Sequence, residues 1–236
     1  MADQYARTRM LLGDAAMQKL RDAHVAVFGV GGVGGYVVES LARSGIGTLD
    51  LIDNDVVALT NLNRQIIATH ETVGRDKVEV AAARVASIDP TIIVRTYKTF
   101  FLPETADLFD FAQYDYIVDA IDTVAGKLAL AEGARAAGTP IISALGTGNK
   151  LDPSQLAVSD IYETSTDPLA RVMRRELRRR SIEKLTVVWS RETPIVPLPP
   201  EEETERRALP GSSPFVPPAA GLLIASVVVR DLVGRQ

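Results

Sequence analysis

No cysteine occurs anywhere in the 236 residues of the chain. Disulfides, thiolate zinc sites, thiol nucleophiles and enzyme-bound thioesters are thereby excluded on this chain. Histidine is scarce, with only His24 and His70, neither of which has an evident partner in the sequence, so neither receives a catalytic role. The single tryptophan, Trp189, is expected in the core. The longest apolar run, Ala219 to Val229, has 11 residues interrupted only by Ser226, short of the roughly 20 that a spanning helix requires. No membrane segment is expected, and MADQYARTRM lacks the apolar stretch of a signal peptide, so a cytoplasmic location is expected. The net charge of -4 offers no overall attraction to nucleic acid, and any such binding must rest on a local patch. What is present is ordinary globular usage, 46% apolar and 24% charged, which excludes collagen and wholesale disorder.

From His24 onward, strand-like and helix-like segments alternate. Strands are expected at His24 to Phe28, Thr48 to Asp53, Ile92 to Thr96, Tyr116 to Asp119 and Pro140 to Ala144. Helices are expected at Val33 to Arg43, Lys77 to Ser87, Glu104 to Phe111 and Lys127 to Ala137. This order predicts an α/β fold with a Rossmann-like, mainly parallel sheet and helices on both faces. Residues 1–236 read as a single domain, with a nucleotide-binding core over 1–150 and an extension over 151–236. The extension is expected to hold further strands at Gln155 to Ile161 and Leu185 to Ser190, and a basic helix over 168–181. A Pro-rich, charged and mobile loop over about 193–214 and an apolar terminal helix over 219–233 complete it.

Gly29-Val30-Gly31-Gly32-Val33-Gly34-Gly35 follows the first strand directly and opens a helix. Gly29, Gly31, Gly32 and Gly34 permit a tight turn and let backbone approach a phosphate, whose charge is favoured by the helix N-terminus. Asp53 ends the second strand, placed to accept hydrogen bonds from ribose hydroxyls. Strand, glycines, helix, strand and acid in this order indicate a dinucleotide or adenosine nucleotide site. The run after Asp53 argues for a triphosphate, because it supplies an amide, a guanidinium and an ammonium in Asn61, Arg64 and Lys77. Arg64 can grip phosphate oxygens bidentately, Lys77 can act as a point charge beside them, and Asn61 can orient a phosphate or ribose oxygen. Asp122, just beyond the Tyr116 to Asp119 strand, should face those phosphates and suits Mg2+ shared with them, while Asp119 can cap the following helix.

These residues resemble the ThiF, MoeB and HesA group, the bacterial relatives of ubiquitin-activating E1 enzymes. The resemblance rests on GVGGVGG, DNDVVALTNLNRQ, GRDKVEVAAARV and DAIDT in that order and spacing. It implies ATP and Mg2+ as cofactors and adenylation of a carboxylate with release of pyrophosphate. Asp53 is implied at the ribose, Asn61, Arg64 and Lys77 at the phosphates, and Asp122 at the magnesium. It also implies a homodimer in which an N-terminal arginine, matching Arg7, reaches the partner's site; the family's preceding arginine is Gln4 here. Carrier-activating members usually bear paired cysteines. Their absence, together with RTRMLLGDAAMQKLRDAH at the front, DPLARVMRRELRRR and FVPPAAGLLIASVVVRDLVG, is similar to the branch of tRNA threonylcarbamoyladenosine dehydratases, also called CsdL-like or YgdL-like.

That branch implies ATP-dependent cyclisation of threonylcarbamoyladenosine in tRNA, a reaction that needs no enzyme thiol. Alternatives are adenylation of a ubiquitin-like sulfur-carrier C-terminus and an NAD-binding module built on the same turn. The basic helix fits an RNA substrate. Leu169 to Lys184 carries seven Lys or Arg against two Glu, and Arg171, Arg174, Arg175 and Arg178 can share one face while Val172, Met173 and Leu177 pack inward. Such a face can equally be a solvated surface paired with the acidic stretch at Glu201 to Glu205. Loop carbonyls of Leu145 to Lys150 could coordinate a monovalent cation, and the resemblance opens a cysteine desulfurase partner.

Overall fold

The computed structural model describes residues 3–199 and 210–235. Two helices, α1 (Ala6–Leu12) and α2 (Asp14–Asp22), precede the first strand, a start that the strand-and-helix alternation did not reveal. The alternation itself follows as β1 (His24–Phe28), α3 (Gly34–Ser44), β2 (Thr48–Ile52), α4 (Lys77–Ile88) and β3 (Ile93–Tyr97). It continues as β4 (Tyr116–Asp119), α5 (Val124–Ala137), β5 (Ile141–Ala144) and β6 (Leu156–Asp160). Last come α6 (Pro168–Arg179), β7 (Thr186–Ser190) and α7 (Val216–Val233).

The seven strands form one sheet in the order β3-β2-β1-β4-β5-β7-β6. All pairs are parallel except β6 with β7. The fold is therefore α/β and Rossmann-like, as expected. Central strands β1, β2 and β4 are apolar almost throughout because helices cover both faces, whereas β3 and β6 at the edges are only partly buried. On one face α3, α4 and α7 enclose Val25, Val27, Leu49 and Leu51. On the other, Phe28, Phe101, Phe109 and Phe111 form an aromatic cluster beneath α5, with Phe28 and Phe101 centroids 4.8 Å apart. Met173 and Leu177 of α6 pack on Val187 and the buried Trp189.

Several boundaries differ from expectation, α5 starting at Val124 rather than Lys127 among them. Glu104 to Phe111 is not an α-helix but two 3-10 stretches, Pro103–Leu108 and Phe111–Gln113, divided at Asp110, whose carboxylate accepts the Ala112 N–H and starts a new turn. The basic helix stops at Arg179, because Ser181 adopts a left-handed φ of 55°. The terminal helix begins at Val216, since Pro217 and Pro218 fit a first helical turn that has no N–H to lose. The described part of 193–214 carries no helix or strand; residues 200–209, including the Glu201 to Arg207 stretch, lie outside the described residues.

Helix α7 is long and apolar enough to cross a membrane by composition alone, yet more than half of it is buried in the protein. It packs on α3 and α2 and beneath the sheet. A side chain at Gly221 would stand 2.4 Å from the Val33 carbonyl oxygen, so this glycine brings the front of α7 against the start of α3. The helix is apolar on most sides because protein covers it on most sides.

Candidate functional site

Chain order reverses between β1 and β4, which leaves a crevice at the carboxyl ends of these neighbouring strands. The glycine turn fills its floor. Gly29 has a φ of 89°, and a Cβ there would meet the Ala120 carbonyl oxygen at 2.6 Å. A Cβ on Gly34 would overlap the Gly29 carbonyl oxygen at 1.8 Å. Gly32 faces Arg64 and Pro217, with a hypothetical Cβ at 3.3 Å from each, and Gly31 faces the Gln65 amide. The turn thus lays bare backbone between Arg64, Gln65 and the front of α7, at the N-terminus of α3 where the first amides have no partner within the helix.

Asp53 holds this turn in place. One carboxylate oxygen accepts the Val30 N–H at 2.7 Å and the other accepts the Asp55 N–H at 2.8 Å. Each oxygen keeps a second lone pair for a ribose hydroxyl, so the residue can bind the sugar and brace the turn together. That bracing was not anticipated from spacing alone. Asn61 closes its own 3-10 turn, accepting the Ala58 N–H at 3.1 Å. Lys77 is buried at the first position of α4 and donates to Asp55 at 2.7 Å, so Asp55 is the carboxylate that holds its ammonium beside the second strand.

Arg64 differs from Lys77. Its guanidinium donates to the Thr60 carbonyl at 3.2 Å and to the Asn63 side chain at 3.0 Å, and no carboxylate lies within ion-pairing distance among the described residues. Burial pulls its pKa below the ordinary arginine value, though arginine stays charged at neutral pH. A desolvated cation with no counter-charge among the described residues, beside bare backbone, suits an anion. Among the described residues, two buried polar atoms find no partner there, Gln65 Oε1 on the residue facing Gly31 and Thr123 Oγ1 in the loop after β4. Gln65 and Thr123 were not singled out in the sequence; an amide directly after Arg64 was the only available signal.

Asp119 does not cap α5. It is buried, its carboxylate accepts from Lys127 Nζ at 3.0 Å and from Ser143 Oγ, and the N-cap position belongs to Thr123. Lys127 also donates to the Ala144 carbonyl at 2.7 Å, joining the ends of β4 and β5 beneath the crevice. This lysine went unmarked in the sequence. Asp122 stands exposed at the rim. No group of three potential metal ligands exists among the described residues, so a divalent cation here would be held by Asp122 together with ligand oxygens.

The basic helix exposes Arg171, Arg175 and Arg178, while Arg174 is half-buried and donates to the Thr164 carbonyl at 3.0 Å. Arg178 lies 5.0 Å from the Tyr162 ring centroid. Glu176 pairs with Arg175, Arg179 and Arg180, and these partners hold its carboxyl below the usual range. The four expected arginines therefore do not form one uniform face. Met173 and Leu177 point inward as expected, with Val172 half-buried. Arg7 is exposed on α1. His24, expected to lack a partner, has one: its Nε2 lies 2.8 Å from Asp50, which also accepts from Tyr114 at 3.2 Å. This pair sits at the opposite end of the strands and has no part in the crevice.

A ThiF family model matches residues 5–234. The tRNA threonylcarbamoyladenosine dehydratase of Bacillus subtilis (strain 168) is 40% identical over 243 aligned positions, covering 99% of this chain and 96% of that protein. The structures of the Escherichia coli tRNA N6-threonylcarbamoyladenosine dehydratase, TcdA, in complex with ATP and with AMP superpose with a TM-score of 0.89 at 34% identity, over 98% of this chain and 94% of that one.

Proposed function

Because the chain belongs to the ThiF family, we propose that it adenylates the threonyl carboxylate of threonylcarbamoyladenosine in tRNA with ATP and then lets the base close on itself. The observation that carries this reading is Arg64, half-buried beside the glycine cradle and without an ion-paired carboxylate among the described residues. Gly29, Gly31, Gly32 and Gly34 form the floor for the nucleotide, and Asp53 accepts from its ribose. Arg64, Lys77 and Asn61 bear on its phosphates. The cradle and the orphaned Gln65 oxygen suit a ligand rich in polar atoms.

A carboxylate oxygen attacks the α-phosphorus and the bond to the β-phosphate bridge breaks, giving an acyl adenylate and pyrophosphate. Arg64 and Lys77 offset the charge that builds on the departing diphosphate, the kind of preorganised stabilisation that dominates such steps. A nucleophile of the substrate's own ureido group then attacks the activated carbonyl and AMP leaves with the former carboxylate oxygen. The base has lost the elements of water, and no enzyme nucleophile is consumed.

Mg2+ shared between Asp122 and the phosphates would supply further charge neutralisation. In the Leu145 to Lys150 region, where loop carbonyls were expected to coordinate a monovalent cation, the Gly146 carbonyl accepts the Lys150 ammonium at 2.7 Å, so a fixed positive charge already occupies that carbonyl and disfavours a second cation beside it. Residues 1–150 act as the ATP-binding part and 151–236 as the extension that meets tRNA, through Arg171, Arg175 and Arg178, with Arg174 bracing the helix. A homodimer would bring Arg7 of the partner subunit to the phosphates. The reaction uses no sulfur, so a cysteine desulfurase has no step in it, and a cytoplasmic location is part of the same proposal. The test is incubation of the protein with ATP and tRNA bearing threonylcarbamoyladenosine. AMP, pyrophosphate and the cyclic base are expected in equal amounts. Turnover that instead needs a carrier protein would replace this reading with the carrier-activating one.

A further inference from the structure

The loop after β5 is held by a lysine where a diffusible cation was expected. Lys150 Nζ is almost wholly enclosed, donates to the Gly146 carbonyl at 2.7 Å and lies 3.8 Å from Asp167 Oδ2. The Asp167 side chain is equally buried and makes two further bonds. Its Oδ1 accepts the Ala170 N–H at 3.0 Å and so caps α6, and its Oδ2 accepts the Gly146 N–H at 3.2 Å. One ammonium and one carboxylate therefore join the exit of β5 to the first turn of the basic helix.

The same lysine reaches the nucleotide side through its backbone. The Lys150 carbonyl accepts from Ser213 Oγ, and Ser213 precedes α7, whose Pro217 faces Gly32 of the phosphate turn. Next to Ser213, the Ser212 carbonyl accepts from the side chain of Asn63, the neighbour that also holds Arg64. Asn149 exchanges two hydrogen bonds with Gly211, and the Asn149 carbonyl accepts the Ile195 N–H. The segment is a junction between the RNA-facing helix and the ATP-facing turn.

We propose that Lys150 is a positioning residue whose tethered ammonium does the work of a bound monovalent cation, fixing the junction so that the basic helix and the phosphate turn keep one relative placement. The geometry explains why a side chain suffices. A cation at this point needs one carbonyl and one carboxylate from sequence-distant segments, and an ammonium on a four-carbon stem reaches both without leaving its own loop. Removing it would leave Asp167 buried without its partner charge, a position that draws in any small cation able to enter.

This inference rests on the proposed dehydratase reading, and its test separates the two. Wild type and Lys150→Met are assayed for AMP formation with modified tRNA in potassium, ammonium or tetramethylammonium chloride at constant ionic strength. Wild type should turn over at the same rate in all three salts. Lys150→Met should lose about tenfold or more in kcat/KM for tRNA in tetramethylammonium, the usual range for a residue supporting a site from behind. Potassium or ammonium should restore several-fold of that loss, and most of the rescue should be lost in Lys150→Met with Asp167→Asn, where only the partly buried Glu192 is left to attract a cation. Thermal melting without tRNA provides a readout independent of turnover, since potassium should raise the melting temperature of Lys150→Met and leave wild type unmoved. Potassium activation of wild type, or a folded Lys150→Met indifferent to all three salts in both assays, would overturn the proposal. A wild type inactive on modified tRNA in every salt removes the dehydratase reading, while the melting comparison still decides the role of Lys150.

Discussion

The phosphate turn and the basic helix are each assigned to phosphate, yet they are built in opposite ways. In the turn the contacts are set by backbone within van der Waals limits, with Gly29 against Ala120 and Gly34 against Gly29, and its neighbouring cation Arg64 has no ion-paired carboxylate among the described residues. In α6 the cations stand on exposed side chains, and Glu176 already neutralises part of their field. The first arrangement recognises one shape and excludes others. The second offers a salt-sensitive field that accepts a backbone in many registers. An enzyme that must hold one nucleotide and a large RNA needs both kinds.

The strongest way to break this contrast is to fill the turn. Gly34→Ala puts a methyl carbon into the Gly29 carbonyl oxygen, and neither backbone atom can retreat. The expected result is loss of measurable ATP binding and a stability cost of about 4 kcal/mol, the upper end for single substitutions, read by calorimetric titration and urea unfolding. Ordinary affinity in this variant would show that the turn is not the nucleotide floor. Arg64→Ala comes next: AMP formation should fall about 10² to 10³-fold, as for loss of one preorganised charge-stabilising group, with a melting temperature close to wild type. A matching fall in stability would mean that Arg64 braces the fold instead.

On the helix side, effects should be smaller and salt-dependent. Replacing Arg171, Arg175 and Arg178 together by alanine should weaken tRNA binding by about 10²-fold and make the slope of log affinity against log salt shallower by about 2. ATP affinity should not change. If binding were insensitive to this triple change, the arginines would be a solvated face and the RNA surface would lie elsewhere.

How legible each region was follows from the same contrast. The turn was the more legible, because Gly29 and Gly34 answer a steric demand written at fixed spacing and Asp53 follows just after the next strand. The helix could be read as basic, but not which arginines are exposed: Arg174 is diverted by Thr164 and Arg175 by Glu176, contacts that depend on how α6 docks. Lys127 with Asp119 and Lys150 with Asp167 were missed for a related reason. Each lysine lies in one segment and its acid in another, and only the packed sheet brings them together. The two N-terminal helices lie ahead of the strand alternation, and the anchor that fixes α1 joins residues 84 positions apart in the chain.

That anchor belongs to neither region and supplies the smallest effect. Tyr5 donates to Asp89 at 2.6 Å, and Asp89 accepts from the N–H and the hydroxyl of Thr91 as well. Burial alone would push the Asp89 carboxyl up, but the Thr91 and Tyr5 hydrogen bonds outweigh it and bring it down to about 2. A carboxyl depressed in the folded state binds fewer protons there than in the unfolded chain, so its stabilisation is complete above the unfolded value of 3.8 and disappears as pH falls through about 2. At about 1.4 kcal/mol per pKa unit the contribution is about 2 kcal/mol. Unfolding free energies measured between about pH 5 and pH 2 should therefore drop more steeply for wild type than for Asp89→Asn, with Tyr5→Phe intermediate. Near pH 7, Tyr5→Phe should lose about 1 kcal/mol while ATP and tRNA affinities of the folded protein hold. If Arg7 on the same helix serves a partner's site, the turnover of Tyr5→Phe should fall even though both affinities do not, which would distinguish an anchor that presents Arg7 from one that only adds stability.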